Sequence, residues 1–245
     1  MKSFGVTDKG KVRHENQDSY IIENCDKHKG VVAVICDGMG GAKAGDLASR
    51  LSSKAFVTRV FETLVSPKLF IGNHEKLLKE SCDDANGVVY EYSRFDADYN
   101  GMGTTLVGGI IYRRRAHLVN VGDSRAYLLN KLEIQQITRD HSYVEELITM
   151  GAITRAEART HPKRNVITRA LGVEQNVEAD YYSVNLHRGD GIMLCSDGLT
   201  NMVTDSEILE AYKKDSSPEV FCRGLMDLAL ERGARDNVSV VLVKI

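Results

Sequence analysis

The chain of 245 residues has no Cys-x-x-Cys pair, no long apolar run and no marked excess of charge of either sign. Each absence removes a class of protein. The five cysteines, Cys25, Cys36, Cys82, Cys195 and Cys222, are odd in number and scattered, a pattern without the spacing of a zinc or redox site and in keeping with cytoplasmic thiols. Cys36 and Cys195 lie inside apolar runs and read as small core hydrophobes. Crossing a bilayer takes roughly 18 consecutive apolar residues, and the start, Met1-Lys2-Ser3-Phe4-Gly5, has no apolar segment of the signal-peptide kind. The expectation is a cytoplasmic protein with neither leader nor membrane span. A net charge of -2 gives no general affinity for nucleic acid or anionic lipid, both of which need surplus Lys and Arg. With only three prolines, 42% hydrophobic and 27% charged residues, the chain is neither disordered nor collagen-like. No low-complexity linker or fixed-period repeat divides it, so residues 1–245 read as a single domain, expected as a monomer.

Strand signals are numerous. Residues 116–121 alternate after His117, whereas 31–36 and 238–243 are nearly continuous apolar runs, the pattern of strands covered on both faces. Arg113-Arg114-Arg115 marks a solvated turn between two strands. Helical spacing is found in 44–64, through Leu47, Leu51, Ala55 and Leu64, and in 75–92, through Leu78, Cys82, Ala85, Val88 and Val89. A third helix is expected from Pro218 to Arg232, stopped at Gly233. The polar segment 139–172, with a short amphipathic helix around 144–150, interrupts this pattern and reads as an inserted surface flap. Strands at both ends and helices in blocks predict an α+β fold of segregated layers.

The chemistry lies in acidic residues at strand ends. Asp37-Gly38 and Asp197-Gly198 each follow an apolar run, Asp123 follows another in Gly122-Asp123-Ser124, and Asp236-Asn237 precedes the last strand. Asp-Gly is also a common turn dipeptide, but four such positions at one sheet rim would place repelling carboxylates together, which calls for cations. Without a His/Cys set the ions expected are Mg2+ or Mn2+. Arg13 offers a fork suited to phosphate, and Asp18 could hold a metal-bound water. For both, the plainer reading is a surface Arg and a turn Asp.

These motifs resemble the metal-dependent serine/threonine protein phosphatases of the PP2C type, in particular compact bacterial members. The resemblance spans nearly the whole chain in order: Arg13 with Asn16-Gln17-Asp18, Asp37-Gly38-Met39-Gly40-Gly41, Gly103-Thr104-Thr105, Gly122-Asp123-Ser124-Arg125, Ser196-Asp197-Gly198-Leu199 and Asp236-Asn237. It implies a four-layer α-β-β-α sandwich of two antiparallel sheets covered by helices. It implies that Asp37 bridges two Mn2+ or Mg2+ ions, that Gly38 lends its carbonyl to one, and that Asp197 and Asp236 hold the other. Asp18 would act through a metal-bound water, and Asp123 with Asp197 would form a third, weaker metal position. Arg13 would clamp the substrate phosphate and Asn237 would orient Asp236 or a water. Gly198 would serve its turn. Two ions about 3.5–4 Å apart bring a bridging water toward ionisation at neutral pH, so hydroxide would attack phosphorus directly with no phosphoenzyme. The implied activity is hydrolysis of phosphoserine and phosphothreonine on proteins, in signalling with a cognate Ser/Thr kinase, the flap 139–172 helping to recognise substrates. Many relatives carry a histidine just after the first Asp-Gly, regarded as a general acid. Here Met39 and Ala42 stand in its place, leaving His141 and His161 of the flap, or a metal-bound water, as donors.

Three other readings compete. A cysteine phosphatase needs Arg six positions after its nucleophile, whereas Cys195 is followed at that distance by Asn201 and Cys36 by Ala42. Gly5 to Val12 nearly matches a phosphate-binding P-loop but puts Val12 where a metal-binding hydroxyl belongs. The third is a catalytically silent, metal-dependent module that binds phosphoproteins, for which a full set of metal ligands has no use.

Overall fold

The run 31–36 is apolar throughout because its strand has a layer above and a layer below. Val31, Ala33 and Ile35 enter one hydrophobic cluster while Val32, Val34 and Cys36 enter another, so the alternation of period two is present but both faces are buried. The computed structural model describes residues 1–25, 30–65, 73–95, 97–214 and 216–245. Its strands are β1 (Lys2–Asp8), β2 (Asp18–Cys25), β3 (Gly30–Met39), β4 (Gly103–Thr104), β5 (Leu106–Tyr112), β6 (Arg115–Val121), β7 (Arg125–Leu129), β8 (Ile134–Gln136), β9 (Asp180–Asn185), β10 (Gly191–Cys195) and β11 (Val238–Lys244). The helices are α1 (Gly41–Val65), α2 (His74–Phe95), α3 (Tyr143–Thr149), α4 (Arg155–Ala158), α5 (Asp197–Thr200), α6 (Asp205–Lys213) and α7 (Pro218–Glu231).

One sheet runs β1-β11-β10-β7-β8 and the other β2-β3-β5-β6-β9, with β4 paired to β3. All pairings are antiparallel. Between the sheets, Val31, Ala33, Ile35 and Val107 meet Ile192, Leu194, Val241 and Val243. Outside the first sheet, Met193, Cys195, Val240 and Leu242 pack on Ile208 of α6 and Phe221 and Leu225 of α7. Outside the second, Val32, Val34 and Leu106 pack on Phe56 and Val60 of α1 and Leu78 and Cys82 of α2. The α-β-β-α sandwich expected from the sequence is the fold observed. All five cysteines are buried and free, Cys36 and Cys195 as expected of core residues.

Two local expectations need correction, and the P-loop likeness, already broken at Val12, falls as well. On α1 the deeply buried side chains include Ala48, Ser49, Ser52, Ser53, Phe56 and Val60, while Leu47, Leu51 and Ala55 are only partly buried. Small residues let the helix lie close to β2, where Ser53 Oγ bonds Ser19 Oγ at 2.9 Å. The side chain of Leu64 lies outside the described residues. On α2, Val88 is exposed, and the buried stripe instead includes Asn86. Asn86 holds the end of the flap, accepting from the Gly172 N–H at 2.8 Å and donating to the carbonyls of Glu174 and Gln175. Finally, Gly5 lies inside β1, paired with Val241, so the P-loop likeness begins in a strand and has no loop geometry.

The turn at Arg113 and Arg114 is a two-residue hairpin between β5 and β6, with φ of 45° and 62°. The flap leaves after β8 and returns before β9. Its ends are tied down by an ion pair of Arg125 with Asp140 at 2.7 Å and by a bridge of Leu171 to Thr104. Its middle carries α3 and α4, each capped by a hydroxyl, Ser142 and Thr154.

Candidate metal and phosphate site

Asp18 and Asp37 are direct partners across β2 and β3, which puts their side chains on one face. Asp37 continues the parity of Val31, Ala33 and Ile35 and so turns toward the facing sheet, at the rim where apolar packing stops. The strand runs on through Gly38 to Met39 and pairs with β4, so this Asp-Gly lies within a strand end and not after it. The Gly103-Thr104-Thr105 motif fixes it there. Thr105 Oγ1 accepts from the Asp37 N–H at 2.9 Å, its own N–H donates to the Asp37 carbonyl at 2.8 Å, and Thr104 Oγ1 donates to the same carbonyl at 2.9 Å. Gly38 tolerates no side chain, because a Cβ there would lie 2.0 Å from the Gly45 carbonyl oxygen.

From the other sheet come Asp197, first residue of α5 just after β10, and Asp236, two residues before β11. Asn201 Nδ2 donates to Asp197 Oδ2 at 3.1 Å. Gly198 is helical and not a turn glycine; its missing Cβ would sit 2.0 Å from the Asn237 carbonyl oxygen, so close approach of α5 to that segment is what requires it. Asp123 follows β6 beyond Gly122, and Asp37, Asp123, Asp197 and Asp236 share a cleft of about 500 Å³ with Arg13, Gly38 and Met39.

Asp18 lies behind this cleft and joins the sheets. Its Oδ2 accepts from Ser196 Oγ at 2.8 Å and Ser239 Oγ at 2.7 Å, and Ser239 also bonds Thr7 Oγ1 at 2.8 Å. Asp18 Oδ1 is buried with no partner. Ser196, Ser239 and Thr7 were not anticipated as site residues. The available signal was a hydroxyl in a slot of an otherwise apolar strand, as in Val238-Ser239-Val240.

Arg13 sits on the exposed loop between β1 and β2 and reaches Asp236 Oδ2 at 2.8 Å. Asn237 supports it from beneath in a way not expected. Its backbone N–H donates to Asp236 Oδ1 at 2.9 Å, but its side chain clamps the loop. Nδ2 donates to the carbonyls of Lys9 and Glu15 and Oδ1 accepts from the Gln17 N–H, all at 2.9 Å.

Removal from water and mutual repulsion push the carboxyls of Asp18, Asp37, Asp123 and Asp197 upward. Asp18 rises to about 6, chiefly through burial, against the hydroxyls of Ser239 and Ser196; Asp197 also rises to about 6, through burial and then Asp236. Asp37 and Asp123 rise well above the ordinary range, again through burial first and neighbouring carboxylates second. Such a cluster gains from added positive charge. Among the described residues no group of three or more His, Cys, Asp or Glu side chains is arranged to hold a metal ion by itself. Hard ions that keep several waters do not need one, and the donor set fits them: oxygen only, with an orphaned carboxylate oxygen on Asp18.

Neither flap histidine lines the cleft. Buried His141 accepts the Gly122 N–H on Nδ1 at 3.2 Å and pairs with Asp180 through Nε2 at 3.2 Å, so it holds the Asp123 turn; burial lowers its pKa. His161 packs on Tyr143.

A family profile described as protein phosphatase 2C matches residues 10–232. The chain belongs to this family. Among curated relatives, the serine/threonine phosphatase stp of Listeria monocytogenes serotype 4b is 38% identical over 239 residues, covering 97% of this chain and 93% of that protein. The crystal structure of serine/threonine phosphatase Stp1 from Staphylococcus aureus superposes with a TM-score of 0.88 at 36% identity, covering 99% and 94% of the two chains. The catalytic domain of the serine/threonine phosphatase PstP, solved with two manganese ions, gives a TM-score of 0.85 at 33% identity, covering 98% and 96%.

Proposed function

We propose that residues 1–245 form one monomeric catalytic domain that hydrolyses phosphoserine and phosphothreonine on proteins. The observation that carries this reading is the convergence of Asp37, Asp123, Asp197 and Asp236 from two sheets on one cleft beside Arg13. Asp37 and the Gly38 carbonyl would hold one Mn2+ or Mg2+, Asp37 with Asp197 and Asp236 a second, and Asp123 with Asp197 a third, weaker one. When bound, the ions would acidify a water and offset phosphoryl charge, the electrostatic contribution that dominates phosphoryl transfer.

The chain's own residues supply the rest. Arg13 presents two N–H groups to phosphoryl oxygens, and the Asn237 clamp keeps its loop at the cleft mouth. Asp18, held by two hydroxyls, keeps its free Oδ1 as an acceptor for a water. Met39 has no ionisable proton, and His141 and His161 are engaged elsewhere, so water is the proposed proton donor to the leaving Ser or Thr oxygen. On this reading the protein would serve cytoplasmic signalling opposite a cognate Ser/Thr kinase. Among the described residues no helix is long and apolar enough to cross a membrane.

Release of phosphate from an aryl phosphate and a phosphothreonine peptide during Mn2+ titration tests the reading. Activity should rise with Mn2+, vanish in excess chelator, and fall at least about 10³-fold in kcat/KM for Asp37→Asn. Full activity in chelator would sink the metal mechanism. Inactivity at every Mn2+ concentration, with phosphopeptide binding retained, would favour the silent binding module.

A further inference from the structure

A second cavity, of about 660 Å³, opens beside the acidic cleft between the flap and α5–α6, and the two share Asp123, Asn165, Asp197 and Asp236 on their common wall. Six arginines line it: Arg125, Arg155, Arg159, Arg164, Arg232 and Arg235. Three are engaged, Arg125 with Asp140 at 2.7 Å, Arg155 with Glu145 at 3.3 Å, and Arg232 with Glu207. Exposed Arg159, Arg164 and Arg235 have no ion-pair partner among the described residues. Of the six acids that line the same cavity, Asp123, Asp197 and Asp236 stand on the wall shared with the metal cleft, where bound cations would offset them, and the other three are engaged. Asp140 and Glu145 are already paired, and Asp205 is bonded by the Tyr127 hydroxyl at 3.4 Å. Unpaired guanidinium groups around one concavity repel each other, and an entering anion relieves that repulsion. The planar fork of Arg suits carboxylate and phosphate equally.

We propose that this cavity receives anionic side chains flanking the phosphoresidue, either carboxylates or a second phosphate, so that Arg159, Arg164 and Arg235 select substrates with acidic surroundings. The inference rests on the phosphatase reading of the neighbouring cleft. An extended peptide advances about 3.3–3.6 Å per residue, so residues within a few positions of a phosphate in the cleft cross the shared wall.

The test uses the Mn2+-loaded protein and three phosphothreonine peptides of equal length: neutral flanks, Asp/Glu flanks, and a second phosphoserine nearby. At low salt, at least one anionic peptide should exceed the neutral one by about tenfold in kcat/KM, the effect of two or three partly screened ion pairs. Whichever anionic peptide gains identifies carboxylate or phosphate as the recognised group. The ratio should shrink at high salt and move toward one in Arg159→Gln/Arg164→Gln and in Arg235→Gln. Equal turnover of all three peptides, or a ratio unchanged in these variants, would overturn the proposal while leaving the phosphatase reading intact. No phosphate released from any peptide or from an aryl phosphate would defeat both.

Discussion

Asn237 acts through what it holds. Three hydrogen bonds from one buried amide fix the backbone at Lys9, Glu15 and Gln17, on both sides of Arg13. Removing the amide leaves two carbonyls and an N–H without their partners, so Asn237→Ala should lower stability by about 1–3 kcal/mol. The looser loop should also raise KM for an aryl phosphate more than it lowers kcat, which thermal melts and steady-state kinetics would check. An unchanged KM with lowered stability would mean that the clamp is structural only. The Asp-Gly and Asp-Asn positions were legible in the sequence because each abuts an apolar strand. The partners of Asp18 were not. Period two tells which face Ser196 and Ser239 occupy, but what lies opposite depends on how two sheets stack, and Ser239 is 221 positions from Asp18.

At the scale of elements, the start of α2 rests on β6 through stacked rings, His74 on His117 with centroids 4.5 Å apart. Burial first, then His74 and Arg115, lower the His117 pKa to about 4, and burial lowers His74 as well. Below the ordinary imidazole value of about 6.5 the unfolded chain therefore binds more protons than the native one. Stability contributed by the neutral stack is present above that value and is lost as pH falls toward 4. Melting temperature should drop between pH 7 and pH 4.5, and the drop should shrink in His117→Gln; identical pH profiles would exclude the stack as a cause. Long apolar strands and α7 were legible from their periodicity. The buried face of α1 was not, because Ala and Ser line it, and small residues leave little hydrophobic signal even where the helix lies closest to the sheet.

For the molecule as a whole, the flap joins a fixed frame to a variable edge. Its ends are pinned by Asp140 and Leu171, whereas Arg159 and Arg164, between those ends, line the arginine-rich cavity with no ion-pair partner among the described residues. Replacing 139–172 by the corresponding segment of a relative should alter the ranking of phosphopeptides more than aryl phosphate turnover, measured on the same preparation. Equal changes in both would mean that the flap shapes the cleft itself. The flap's existence was legible as a polar interruption, but its arginine-lined cavity was not, since one wall comes from Arg232 and Arg235 near the other end of the chain.

The place of β11 also bears on synthesis. It is a central strand, hydrogen-bonded to β1 on one side and β10 on the other, and Asp236 and Asn237 lead directly into it. During translation this segment leaves the ribosome after β1 to β10 have emerged. Until then β1 and β10 have no common neighbour, Asp18 lacks Ser239, and Arg13 lacks its clamp. Contacts so distant along the chain form late, so a nascent or prematurely terminated chain carries the first aspartates without an assembled cleft. Phosphate release is thereby deferred until the polypeptide has closed on itself.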